Sequence, residues 1–115
     1  PVLAIENVEG YDYADVPEDG EYFFLRVQGT SMINAGIYPG DLVLVRMQPC
    51  AENGQIVACL INSEEATLKR FYKRGDAIIL QPENPKYSPI ALSCKDFENG
   101  YARIIGVVKK LIRDI

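Results

Sequence analysis

Turn residues punctuate this chain about every eight to twelve residues, and strand formers fill the stretches between them. That rhythm leaves no room for helices of ordinary length. It is the spacing of an all-β sandwich or barrel. "YFFLRVQG" runs until Gly29, and "DLVLVRM" follows the turn Tyr38-Pro39-Gly40-Asp41. "GQIVACLI" is opened by Asn53-Gly54, a strong turn pair. "EATLKRFYKR" alternates Ala66, Leu68, Arg70 and Tyr72 on one face with Thr67, Lys69 and Phe71 on the other. Gly75-Asp76 turns into "AIILQPEN", a proline-rich loop covers Pro82 to Pro89, and "SPIALS" and "YARIIGVVKKLIRDI" complete the set. The one helical candidate is "SMINAG", a turn or two beginning at Ser31, and Lys95-Asp96 reads as a polar loop. The first twenty residues are acidic and rich in turn formers, and read as an extended arm with one short strand.

A chain of 115 residues fits one domain, here taken as residues 1–115. At that size a core forms without a disulfide or metal staple. The formal net charge is -4, whereas a nucleic-acid-binding domain carries a basic face. Any DNA contact is therefore expected from another domain. Cys50, Cys59 and Cys94 fit no metal-ligand spacing, and without histidine a zinc site is not expected. They read as free thiols in a reducing cytoplasm. No signal peptide and no apolar run of membrane-spanning length occurs. The opening Pro1-Val2-Leu3-Ala4, with no initiator methionine, reads as the start of a fragment.

The missing histidine rules out a Ser-His-Asp triad and a Cys-His dyad. No glycine-rich phosphate loop is present. Glu64-Glu65 lies in a polar turn and reads as a solvated hairpin tip. Lysine remains as a base, and serine with lysine is a known form of activated nucleophile. A free lysine, with a pKa of about 10.4, is a cation at neutral pH. Only burial lowers that value enough to free the lone pair. Among Lys69, Lys73, Lys86, Lys95, Lys109 and Lys110, Lys69 fits best. It lies in mid-strand, with Thr67 and Phe71 as same-face neighbours. Ser31 is the matching nucleophile candidate, because N–H groups at the start of a helical turn can hold an oxyanion. Gly29 allows a peptide to approach closely. Taken alone, the pattern favours Ser31 as a helix cap or turn residue and Lys69 as an ordinary edge-strand lysine.

The ordered series "GTSMINAGIYPGDLVLV", "NGQIVA", "ATLKRF" and "LQPENPKYSPI" resembles the LexA-like self-cleaving repressors and their relatives, the S24 peptidases. The similarity runs from "ENVEGYDYADVP" to "IIGVVKKLI". It implies a mostly β, LexA/signal-peptidase-like fold of twisted antiparallel sheets with one short helical turn after the nucleophile. It implies Ser31 as nucleophile, Lys69 as the neutral general base, and the main-chain N–H groups of Thr30 and Ser31 as the oxyanion hole. Thr30 stands where a hydrophobic residue is common in the family. Gly36, Gly40 and Asp41 are read as turn residues and Met32 as core packing.

The activity so implied is cleavage of an Ala-Gly-type bond in the protein's own linker, stimulated by the RecA filament, in a cytoplasmic SOS repressor. Neither a cofactor nor a metal is implied. The implied homodimer forms through the C-terminal strand, on the ground that a long apolar terminal strand needs an edge partner. Operator DNA would be bound only through an N-terminal helix-turn-helix domain absent from this chain. "PVLAIENVEG" aligns with family sequence just beyond the scissile bond, placing Pro1 a residue or two after it. The alternatives are a UmuD-like polymerase accessory subunit, a phage or mobile-element repressor, and a dimerisation module with a vestigial dyad. Signal peptidases share the serine-lysine core but normally carry a membrane anchor.

Overall fold

The computed structural model describes residues 16–113. Its seven strands are β1 (Tyr22–Arg26), β2 (Leu42–Met47), β3 (Ile56–Ile61), β4 (Thr67–Arg74), β5 (Ala77–Gln81), β6 (Ile90–Ser93) and β7 (Ala102–Ile112). A 3-10 turn covers Ile33–Ala35, and a short helix, α1, covers Cys94–Glu98. All seven strands join one antiparallel sheet in the order β1-β2-β7-β3-β4-β5-β6. The protein is thus mostly β and antiparallel, as its sequence indicates, with all seven strands hydrogen-bonded into one sheet. Turn spacing sets strand length and leaves the number of sheets open. Of the arm expected over residues 1–20, only 16–20 are described, as bends ahead of β1; the short strand expected in it lies outside the described residues.

The central strands bury both faces, which is why they read as near-continuous apolar runs rather than alternating ones. In β3, Ala58 joins one cluster with Val43, Val45, Met32 and Leu68, while Val57 and Cys59 join another with Phe71, Leu80 and Val107. Leu42, Leu44 and Phe24 form a third. At about 25 cal/mol per Å² of apolar surface removed from water, these clusters are the main source of stability.

β7 corrects the edge-strand expectation. It lies inside the sheet, paired with β3 over Ala102–Val107 and with β2 over Gly106–Ile112. Register shifts opposite Leu44/Val45 and Ala58/Cys59 let its eleven residues follow both neighbours. Beyond Val107 the β3 register ends, and β7 continues along β2 to Ile112. Lys95-Asp96 also differs from its reading as a loop, since both belong to α1. Asp96 Oδ2 accepts from the Ser93 N–H at 2.9 Å and starts that helix as half of a capping box.

Candidate active site

Ser31 lies on the connection between β1 and β2. Two hydrogen bonds close that connection at its base: Val27 N–H to Asp41 O, at 2.8 Å, and Gly40 N–H to Val27 O, at 2.9 Å. Gly29 turns the chain with φ +77°, a conformation that costs glycine little. Met32 then buries to 2% exposure in the cluster that holds Leu68. Burying Met32 in the same core cluster as Leu68 holds its neighbour Ser31 near the start of β4, where Lys69 follows Leu68.

Lys69 Nζ lies 3.5 Å from Ser31 Oγ across 38 positions of sequence. It also donates to Thr67 Oγ1 at 2.8 Å and to Leu68 O at 3.2 Å. The lysine is 7% exposed, and none of these partners is a carboxylate. A buried ammonium without an anion is costly, so burial pushes the Lys69 pKa below its ordinary value. The nearby Cys59 opposes this weakly. Burial also pushes the Cys59 thiol up to about 11, so it carries no thiolate at neutral pH to hold a proton on Lys69. Phe71 and Val57, both buried, complete the apolar wall on this face of β4 and β3.

Ser31 is not a helix cap. The residue before the 3-10 turn is Met32, and no side chain caps the turn. The Ser31 hydroxyl faces Lys69 instead of folding back on the turn. Among the described residues, neither the Thr30 nor the Ser31 N–H donates to an acceptor. The β5–β6 loop holds this turn from outside. Glu83 N–H donates to Ser31 O at 2.8 Å, Asn34 N–H to Glu83 O at 2.8 Å, and Asn84 Nδ2 to Thr30 O at 2.8 Å. Thr30 Oγ1 and Tyr87 OH are 2.9 Å apart. Arg70 ties the loop to β4, with Nε donating to Glu83 Oε1 at 2.8 Å and Nη1 to Gly54 O at 2.6 Å.

Residues 1–109 match the model of the Peptidase S24-like family. The chain belongs to that family. Over 97% of its length it is 49% identical to the LexA repressor of Geotalea uraniireducens, covering 55% of that protein. It is 43% identical over 96% of its length to the LexA repressor of Halalkalibacterium halodurans, covering 53% of that protein. A shorter stretch, 78% of the chain, is 54% identical to the LexA repressor of Desulfitobacterium hafniense. The chain spans about half the length of the curated relatives it matches.

Two features of this S24 domain were not read from the sequence as more than turn residues and loop. Asn84 is buried to 5% exposure, and its Oδ1 accepts from Lys86 N–H at 3.0 Å. Asp41 is buried to 4% exposure, receives Arg113 Nε at 2.8 Å on Oδ1, and accepts from Tyr38 N–H on Oδ2. "PENP" was the available signal for the first, because an asparagine between prolines bonds its own backbone. Nothing local signals the second, whose partners stand 72 positions apart. No cluster of side chains suited to a metal occurs among the described residues. No described helix is long and apolar enough to cross a membrane.

Proposed function

We propose that this chain is the self-cleaving peptidase and dimerisation domain of a LexA-like repressor, working through a Ser31-Lys69 dyad. The observation that carries the proposal is the buried Lys69 Nζ, with no anionic partner, 3.5 Å from Ser31 Oγ. A neutral amine keeps two N–H bonds and one lone pair. Thr67 Oγ1 and Leu68 O take the two N–H groups, and the lone pair is left facing the Ser31 hydroxyl. Ser31 Oγ attacks the scissile carbonyl as its proton passes to Nζ. The oxyanion is held by the Thr30 and Ser31 N–H groups, which have no other acceptor among the described residues. Collapse breaks the C–N bond, and the Lys69 ammonium returns the proton to the leaving amine. Water then hydrolyses the acyl-serine, with Lys69 again as base.

Ser31 is only half-buried, so a substrate segment laid across it strips water from Lys69 and lowers its pKa further. Stimulation by a RecA filament works in this reading by favouring that closed arrangement. The substrate is an Ala-Gly-type bond in the linker to a helix-turn-helix domain, which binds operator DNA. Leu111, a large apolar side chain exposed near the end of β7, suits packing against the same stretch of a second copy. The similarity to LexA repressors supports a repressor over the related polymerase accessory subunits. The deciding experiment extends the chain upstream by a linker carrying an Ala-Gly bond and follows its self-cleavage at alkaline pH. Ser31→Ala and Lys69→Ala each abolish cleavage; wild-type cleavage in either variant rules out the dyad.

A further inference from the structure

Asn84 is the buried polar side chain of the β5–β6 loop, and it uses both ends of its amide. Nδ2 donates to Thr30 O at 2.8 Å, and Oδ1 accepts from Lys86 N–H at 3.0 Å. The Thr30 carbonyl and the Ser31 N–H belong to one peptide unit. No described peptide bond is cis, and in a trans peptide these two groups point in opposite directions. Holding the carbonyl on Asn84 therefore aims the Ser31 N–H away from the loop. A hydrogen bond to the carbonyl also polarises the amide and strengthens its N–H as a donor. The next peptide is fixed in the same way, with Ser31 O accepting from Glu83 N–H at 2.8 Å. Glu83 is in turn paired with Arg70, the residue after Lys69. One loop thus holds the donor peptide and is tied to the strand that carries the base.

We infer that Asn84 is a positioning residue for the oxyanion site, acting through the Thr30–Ser31 peptide rather than on Lys69. The inference rests on the Ser31-Lys69 reading and adds a residue to it. Its test is labelling of Ser31 by a fluorophosphonate, followed by intact mass across a range of pH. Ser31 Oγ forms the bond to phosphorus, fluoride leaves, the hydroxyl proton passes to Lys69, and the phosphoryl oxygen occupies the oxyanion site. Asn84→Ala removes both hydrogen bonds; Asn84→Leu removes them while keeping volume and neutrality, and so serves if the first variant folds poorly.

In either variant the high-pH plateau of the rate constant falls about 10- to 100-fold, somewhat less than deleting an oxyanion donor outright. The midpoint of the pH profile stays in place, because no charge near Lys69 has changed. A plateau within about threefold of wild type, a difference of under 1 kcal/mol, overturns the role of Asn84. So does a fall accompanied by a moved midpoint, which assigns the residue to Lys69 instead. A wild-type chain that labels at Ser31 while the variants label equally well sinks the Asn84 role alone. A wild-type chain that does not label at Ser31 sinks the dyad with it.

Discussion

Lys69 Nζ lies closer to Thr67 Oγ1, at 2.8 Å, than to Ser31 Oγ, at 3.5 Å. The two residues are same-face neighbours on β4, so the strand itself sets the spacing. Thr67 fixes where the amine sits. Ser31 meets it from another element. Thr67→Val keeps the shape and removes the hydroxyl. The plateau rate of self-cleavage should fall about tenfold or more, because the base is no longer held in line. The ammonium, with three N–H groups to satisfy, loses more than the amine does, so the pH midpoint should move down. A plateau and midpoint matching wild type would show that Leu68 O alone holds the base.

Lys69 also makes a prediction about stability. Its pKa is lowered in the fold from an ordinary 10.5. Between the folded and unfolded values the unfolded chain binds more protons than the folded one, and stability rises with pH in that window. Below it, the cost of burying the charge or discharging it is felt in full. Lys69→Met removes the titration and keeps much of the apolar stem. In urea unfolding the variant should be more stable than wild type at pH 7, by a margin that shrinks toward pH 10.5. A margin that stays constant with pH would contradict a depressed Lys69.

The strands were legible because each is a run of strand formers closed by a turn pair. Their order was not. A period of two gives the faces of "YARIIGVVKKLI" but not its neighbours, and β7 entered the sheet between β2 and β3 instead of ending it. Ser31 and Lys69 could be singled out because the absence of histidine leaves few activated nucleophiles, and the resemblance joined them. Their approach across 38 positions depends on Met32 and Leu68 being buried in one core cluster, a tertiary arrangement that no local pattern encodes. The capping reading of Ser31 failed for the same reason, since the hydroxyl is drawn to a distant amine. α1 was missed although Ser93 and Asp96 stand at capping-box spacing, because five residues are too few to show a helical period.

Asp41 is the second buried charge with a testable role. The Arg113 guanidinium beside it holds its carboxyl below the ordinary 3.8, against the opposing effect of burial. A lowered carboxyl pKa stabilises the fold above the unfolded value, and that contribution is lost as pH falls through the folded value. Arg113→Gln leaves the carboxylate with the Tyr38 N–H and little else. Because Arg113 is exposed and screened by solvent, the variant should be measurably less stable at pH 7, but by less than the cost of breaking a fully buried pair. The deficit should narrow as pH drops below 3.8. Equal deficits at pH 7 and pH 3 by chemical denaturation would mean that the arginine acts through packing on Tyr38, whose ring lies 5.1 Å from its guanidinium carbon.

Gly106 is required for a different reason from the glycines of the turns. It sits inside β7, opposite Met47 on β2 and Ala58 on β3. A Cβ there would lie 2.2 Å from Arg46 O and 2.7 Å from Val45 Cγ1. The first of these is backbone, so no rotamer change relieves it, and β2 and β7 must separate. Gly106→Ala should cost about 3 kcal/mol, at the upper end of overpacking changes. It should lower the urea midpoint without changing the slope of the transition. Gly75 is the control, with φ +60° and nothing within 4 Å of an added Cβ. Gly75→Asn meets only backbone strain, which asparagine tolerates, and should cost about 1 kcal/mol or less. Equal losses in the two variants would mean that β2 and β7 can adjust to the methyl group, and that the close approach at Gly106 does not constrain the sheet.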